Sequence, residues 1–404
     1  MRIVMILALS AAAVAQVQPG DILLSNGIGP SLVVVRPGTS MVLPIATLAN
    51  VRPQEAMMAR NNLDYIVAAE GTPSAVLYVN ALGQVSTLFS GVPLAQVRSL
   101  CVEQVDGYVV GNGGPGGAFR VRTSGQIDTL YAGNLALRSR AVETDIDTGD
   151  VLSLDANGNL LRIDAAGNAT IAATGITPPD NAAMATDWRS GDVFVGTDNR
   201  VLKVNPATGI IATVFSGLPL GGTIGVEVDD VDGTLLVCSS SGLANVQGAV
   251  FRMNRSGAIL STLVRLPSTV FATGMDVVAS RPLSGNGDAR PGNPYFLDLD
   301  VPTAGGLPYV LAGSLGVRPG LVLGDGRTIP LNVDPVLILS LVDPFTFQNF
   351  QSVLDAVGHA TATFHVPNIP ALTGQRFYFA YVLLDPAAPL GIRLVSNPWG
   401  VSIR

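Results

Sequence analysis

Carboxylates are the side chains best placed for chemistry in this chain of 404 residues, and they recur in register. Asp145, Asp187 and Asp229 each stand four residues before a glycine, namely Gly149, Gly191 and Gly233. At that spacing an aspartate oxygen can accept from backbone N–H groups two or three residues on, which caps a turn. The run Asp145-x-Asp147-x-Gly149-Asp150 also begins like a calcium loop. Its twelfth position is Ala156, however, and Asp187 and Asp229 lack the full ligand set, so turn capping is the better reading. A second set lies further upstream. Glu55, Arg98, Arg140, Ala182, Ile224 and Thr273 fall at one recurring position, and Glu143, Glu227 and Asp276 follow two or three residues later. Arginines on neighbouring repeats beside carboxylates can hold an anionic or carbohydrate ligand, or can simply pair as salt bridges between repeats. The expected ligand-binding set is therefore Glu55, Arg98, Arg140, Glu143, Glu227, Thr273 and Asp276.

Other chemistries find little support. Both histidines, His359 and His365, lie near the C-terminus, without a carboxylate or cysteine close in sequence to complete a metal site. Gly-x-Ser-x-Gly and zinc-type spacings are absent. No catalytic residue, metal site or cofactor is expected, with calcium as the one alternative.

The elements that position these residues come from a repeat. A strand, a glycine turn and a second strand recur as VLYVNALGQVSTL, AFRVRTSGQIDTL, LLRIDAAGNATIA, VLKVNPATGIIATV and VFRMNRSGAILSTL, with a diverged copy, SLVVVRPGTSMVL, from Ser31. The turn glycines are Gly38, Gly83, Gly125, Gly167, Gly209 and Gly257, mostly 42 residues apart. Alternation of apolar and polar residues before each turn marks a strand, and glycine supplies the positive φ of a tight hairpin. Two further short strands precede each pair, which makes four strands per unit, labelled A to D. That is the unit of a propeller blade. Six B-C-D triplets occur, the first lacking its A strand, and six A strands, the last of which (Thr273 to Ser280) has no B-C-D after it. The two incomplete ends complete one another, as ring closure requires.

The pattern of A strand, Asp, three residues, Gly and apolar B strand resembles NHL-type six-bladed β-propellers over roughly residues 20–282. The pairs Asp145 with Gly149, Asp187 with Gly191 and Asp229 with Gly233 carry that resemblance, and Glu103 with Gly107 is a variant. It implies architecture rather than activity, since the fold hosts enzymes, scaffolds and binders. Lactonase-like relatives of this fold hold calcium in the channel with Glu, Asn and Asp, and here only Glu143, Glu227 and Asp276 are candidates. Amidating-lyase-like propellers use histidine ligands, which residues 16–282 do not contain. The register also places Cys101 and Cys238 on opposite sides of the ring. A disulfide needs Cα atoms within about 7 Å, so two separate buried thiols are expected.

The bulk properties fit an exported all-β protein. Arg2, the apolar run Ile3 to Val14 and Ala13-Val14-Ala15 read as a signal peptide, residues 1–15, cleaved near Ala15. The expected destination is the extracellular space, the periplasm or the cell envelope. Mean hydropathy is +0.42, yet no second apolar run is long enough to span a membrane. The densest, Val336 to Val342, is strand-length. A net charge of −7 and a single lysine, Lys203, argue against nucleic acid. Residues 283–294, rich in Gly, Pro and Arg, read as a linker. Residues 295–404 carry about nine short strands, including PVLILSLV, and suggest an antiparallel β-sandwich. LGDGRTIPL, LDAVGHATATFHVPN, FYFAYVLLD and VSNPWGVSIR resemble C-terminal sandwich modules of secreted bacterial proteins of the planctomycete type. The whole reads as a monomeric, non-catalytic binding or scaffolding protein with a protein or carbohydrate ligand on the propeller face. A calcium-dependent, lactonase-like hydrolase or lyase is the alternative.

Overall fold

A computed structural model describes residues 17, 20–27, 29–39, 41–48, 51–59, 64–103, 107–112, 116–132, 139–177, 182–229, 232–240, 248–267, 270–277 and 283–404. The expected signal peptide, residues 1–15, lies outside them.

Between residues 22 and 277 the described chain forms six four-stranded antiparallel sheets. Five are built from consecutive strands, opening with Arg52–Met58, Val97–Glu103, Ser139–Thr144, Ala182–Thr186 and Thr223–Val228. The sixth is not consecutive: Ala272–Val277 pairs antiparallel with Ile22–Asn26, with Leu23 opposite Asp276 and Leu24 opposite Met275. Ser31–Val35 and Val42–Thr47 complete that sheet. The opening strands touch one another in cyclic order, Arg52–Met58 to Val97–Glu103 and onward to Ala272–Val277, which returns to Arg52–Met58. Hydrogen bonds run across several of these contacts. Thr144 Oγ1 donates to Val102 O, Thr186 Oγ1 to Thr144 O, and Thr273 Oγ1 to Pro53 O at 2.7 Å.

The hairpin glycines have two reasons to be glycine. All six adopt φ between 74 and 90°, which a side chain opposes. In addition, a Cβ on Gly125 would meet Leu88 O at 2.8 Å, and one on Gly209 would meet Ala172 O at 2.9 Å. Each of these hairpins thus packs against the outer strand of the preceding sheet.

Asp145 and Asp187 cap their turns as their spacing predicts. Asp145 Oδ1 accepts from Asp147 N at 2.9 Å, and Asp187 accepts from Arg189 N at 3.1 Å and from Ser190 Oγ at 2.7 Å. Arginines pair with the same carboxylates: Arg162 with Asp145 Oδ2 at 2.7 Å, Arg255 with Asp187 Oδ1 at 2.8 Å and Arg252 with Asp229 Oδ2 at 3.0 Å. The two cysteines are free and buried. Burial pushes the Cys238 thiol up to about 12.

The remaining chain forms a four-stranded sheet that includes Leu283–Asn286, Pro294–Asp300 and His359–His365, and a five-stranded one that includes Gln351–Val353, Pro308–Ser314 and Arg376–Leu384. Tyr295, Leu297, Phe347, Phe364, Phe379 and Tyr381 lie in one apolar cluster fed by both sheets. Two sequence expectations need correction here. The segment 283–294 does not read as linker throughout, because Leu283–Asn286 is a strand with Leu283 paired to Leu299 and fully buried. The run PVLILSLV is not a strand but helix α1, Pro335–Val342. Asp334 caps it by accepting from Leu337 N at 2.9 Å, and Pro335 stands in the first turn, where a missing N–H costs nothing. Continuous hydrophobicity over eight residues does not separate helix from strand, whereas the Asp-Pro start does.

The C-terminal sheets dock on the turns that end the opening strands. Tyr378 donates its hydroxyl to Asp147 O at 2.8 Å, Arg376 Nε donates to Ile146 O at 3.2 Å, and Arg318 pairs with Asp147. Arg98 and Arg140 lie at the other end of those strands, where they begin.

Candidate functional site: the acidic channel

Four carboxylates from four of the six opening strands line one narrow cavity: Glu55, Glu143, Glu227 and Asp276. Met57, Leu100, Cys101, Met184 and Met275 line it as well. It has space for about one water molecule.

Backbone pairing explains which residues meet there. Asp276, Glu143 and Glu227 lie opposite Leu23, Leu152 and Leu236 in equivalent places, each the last residue but one of its opening strand. Met57 and Cys101 stand at the same level in their own sheets, opposite Ile66 and Val109. One level of the channel therefore carries both acidic and uncharged side chains, with Glu227 and Asp276 on neighbouring strands.

Two of the four acids join neighbouring opening strands. Glu55 Oε2 accepts from Leu100 N in the next opening strand at 2.7 Å, and Asp276 Oδ2 accepts from Met58 N at 2.7 Å. Glu143 Oε1 accepts from Thr144 N at 2.8 Å. Burial pushes the Glu55 carboxyl up to about 8; the Leu100 hydrogen bond works against this, while Glu143 and Asp276 add to it. Glu55 keeps a partial exposure, but to the cavity rather than to bulk water, so it stays in a poorly solvated place. Near neutral pH it is largely a protonated carboxylic acid. Among the described residues no group of three His, Cys, Asp or Glu side chains is arranged to hold a metal ion.

Arg98, Arg140 and Thr273 do not line this cavity. Where these strands begin, the ladders of several sheets shift by one residue, leaving Gln54, Arg98, Arg140 and Ile224 as the extra residue of a bulge. The spacing in the sequence placed Glu55 level with Arg98 and Arg140. The register puts Gln54 there and moves Glu55 one residue deeper. A bulge adds a residue to one strand only, so counting along the chain does not reveal it. Arg98 and Arg140 thus stand three residues from the level of Glu143, about 10 Å by strand rise. Arg98 Nε is buried and has no hydrogen-bond partner among the described residues. Thr273 is committed to Pro53 O and Ser25 O. Sequence reasoning missed Cys101, Met57, Met184 and Met275 as lining residues. Their signal was their level relative to Glu143, since all four fall within a residue of it.

The histidines stand apart from this channel. His359 Nδ1 lies 2.8 Å from Asp300 Oδ1, so a carboxylate neighbour exists that the sequence did not suggest. Antiparallel pairing brings it across from a strand 59 residues away. Burial works against the charged ring, but the Asp300 hydrogen bond and charge outweigh it and raise the His359 pKa. His365 faces Gln348 Oε1 at 3.2 Å.

The antiparallel sheets in sequence around a channel define the class as β-propeller, and one solved structure agrees in fold. No family model and no curated protein matches the chain. A nidogen/laminin complex has a TM-score of 0.53 at 12% identity, covering 64% of this chain and 98% of that one. Virginiamycin B lyase from Staphylococcus aureus gives 0.43 at 13% identity over 58% of this chain and 80% of that one. A gluconolactonase from Xanthomonas campestris gives 0.44 at 14% identity over 70% and 92%. At such identities the first likeness speaks to the fold alone, and the two looser ones carry nothing about activity. Among the described residues no helix is long and apolar enough to cross a membrane.

Proposed function

We propose that this chain is an exported, non-catalytic binding or scaffolding protein built on a six-bladed, NHL-type propeller over residues 16–282, followed by a β-sandwich module. The six sheets, the cyclic contacts of their opening strands and the pairing of Ala272–Val277 with Ile22–Asn26 support the closed ring. One observation carries the non-catalytic reading. Three of the channel acids, Glu55, Glu143 and Asp276, accept from backbone N–H groups of their own or neighbouring strands, around a cavity with room for about one water molecule, too small to admit a substrate. They join the blades rather than wait for a reactant.

The ligand, on this reading, meets the mouth where the opening strands begin. Arg98 and Arg140 sit there on adjacent blades at bulges, which re-aim side chains, at the end opposite the turn that Tyr378 of the C-terminal sheets binds. An acidic carbohydrate or a carboxylate-rich protein surface suits two guanidinium groups. The nidogen/laminin complex places a propeller of this fold in a protein-binding setting. Binding of the purified protein to an array of acidic and neutral oligosaccharides, and to an acidic peptide, tests this. Retained binding in the Arg98→Ala/Arg140→Ala variant refutes the location.

The calcium-dependent hydrolase or lyase keeps one observation in its favour, the convergence of Glu55, Glu143, Glu227 and Asp276. Calorimetric titration with calcium discriminates the two. A stoichiometric site abolished by Glu143→Gln supports the enzyme reading, and no heat above dilution sinks it.

A further inference from the structure

Helix α1 presents the most conspicuous apolar surface in the described chain. Only Leu337 and Ser340 of its eight residues are buried. Ile338 is 59% exposed, Leu339 45%, Leu341 39% and Val342 69%, and Phe345, just past the helix, is 87% exposed. These values hold with the N-terminal sheets already docked, so no other part of the described chain covers this face. The patch continues onto Gln351–Val353, where Val353 is 54% exposed. Gln351 Nε2 donates to Leu341 O at 2.8 Å, which fixes the two segments side by side. That strand is also the outer edge of its sheet, and an open edge is a template for pairing with another chain.

Size and charge select the occupant. At about 150–200 Å² per large apolar side chain, these six leave on the order of 600 Å² open. A standard specific interface takes about 800 Å² per partner with its polar rim included, and monomers seldom expose contiguous apolar patches so large without a use for them. No lysine or arginine occurs between residues 328 and 375. An interfacial membrane helix uses Lys and Arg on its polar face to hold anionic lipid, so a lipid surface gains no electrostatic support here. An acidic partner gains none either. The carboxylates at the two helix ends are occupied locally: Asp334 accepts from Leu337 N, Leu315 N and Ser314 Oγ, and Asp343 accepts from Phe345 N. A twofold contact requires a self-complementary face, and apolar side chains that meet their own copies satisfy that. We infer that the α1 face, with its neighbouring edge strand, is the interface through which two copies of this chain form a dimer. The sequence had suggested a monomer.

Sedimentation equilibrium of the purified protein over a wide concentration range reads this directly. The expected result is a dimer, with Phe345→Glu weakening association at least a hundredfold. Phe345 is almost wholly exposed, so the variant should keep the wild-type circular dichroism and thermal transition. Should it fail to fold, Phe345→Cys provides the second test. Two copies meeting through this face should oxidise to a disulfide-linked dimer, whereas a cysteine at the exposed Ile210 should not. A wild-type protein that stays monomeric throughout overturns the inference. So does a dimer indifferent to Phe345→Glu, or a monomer that instead co-sediments with phosphatidylcholine/phosphatidylglycerol vesicles.

Discussion

Glu55→Gln should make the protein more stable at alkaline pH and leave it little changed in acid. Above its ordinary range near pH 4.5, an unfolded Glu55 is ionised, whereas in the folded channel it keeps its proton up to about pH 8. Between those values the folded state binds the extra proton, so stability from this group falls as pH rises through the window and levels off above it. At about 1.4 kcal/mol per unit, the shift sets a ceiling of about 5 kcal/mol on the destabilisation reached above pH 8. Partial contact with channel water lowers this to on the order of 1–3 kcal/mol. Glutamine is nearly isosteric and its carbonyl oxygen can still accept from Leu100 N, so the inter-strand hydrogen bond survives. Urea unfolding of wild type and variant near pH 5 and near pH 8.5 isolates the effect, because other titrating groups cancel in the difference. The variant should gain on wild type at the higher pH by that amount. Equal differences at both pH values, or a variant that loses ground in alkali, would refute the assignment of Glu55 to a poorly solvated site beside Glu143 and Asp276.

Three further outcomes follow from the same geometry. Asp187 is fully buried and holds Ser190 and Arg255, so Asp187→Ala should cost about 2–4 kcal/mol in chemical denaturation; Asp325→Ala, in an exposed turn, should leave the transition nearly unchanged. Without reductant, the native protein should carry two free thiols that react with a disulfide reagent only on unfolding, and a single reactive thiol or none would contradict the buried placement of Cys101 and Cys238. The His359 pKa is raised, so its bond to Asp300 stabilises fully below the ordinary histidine range and is lost as pH rises through the folded value. His359→Gln should therefore cost less than about 1 kcal/mol near pH 5, given its exposure, and nothing near pH 9.

Much of the N-terminal fold was legible because its signals are local. A hairpin glycine, an aspartate four residues before a turn glycine and a period-2 strand each act within a few residues, and repetition in every unit made them stand out. The pairing of the strand from Ala272 with the one from Ile22 was legible for a different reason, since one end of the repeat lacked what the other end supplied. The C-terminal region offered no repeat. There a continuous apolar run was ambiguous, and the Asp334-Pro335 start that makes α1 a helix was outweighed by the strands around it.

By itself the sequence determined the repeat, its turns, the separation of the two thiols and the identity of the channel acids. Tertiary structure decided how those acids stand to one another. Pairing register set Gln54 rather than Glu55 level with Arg98 and Arg140, and the cyclic contact of strands far apart in sequence brought Glu55, Glu143, Glu227 and Asp276 around a cavity the size of one water molecule. The same long-range pairing set His359 against Asp300 and left the apolar face of α1 uncovered. The physical reason is common to all of these. Register and burial depend on which strands meet, and a residue's neighbours across a sheet are fixed by pairing rather than by its place in the chain.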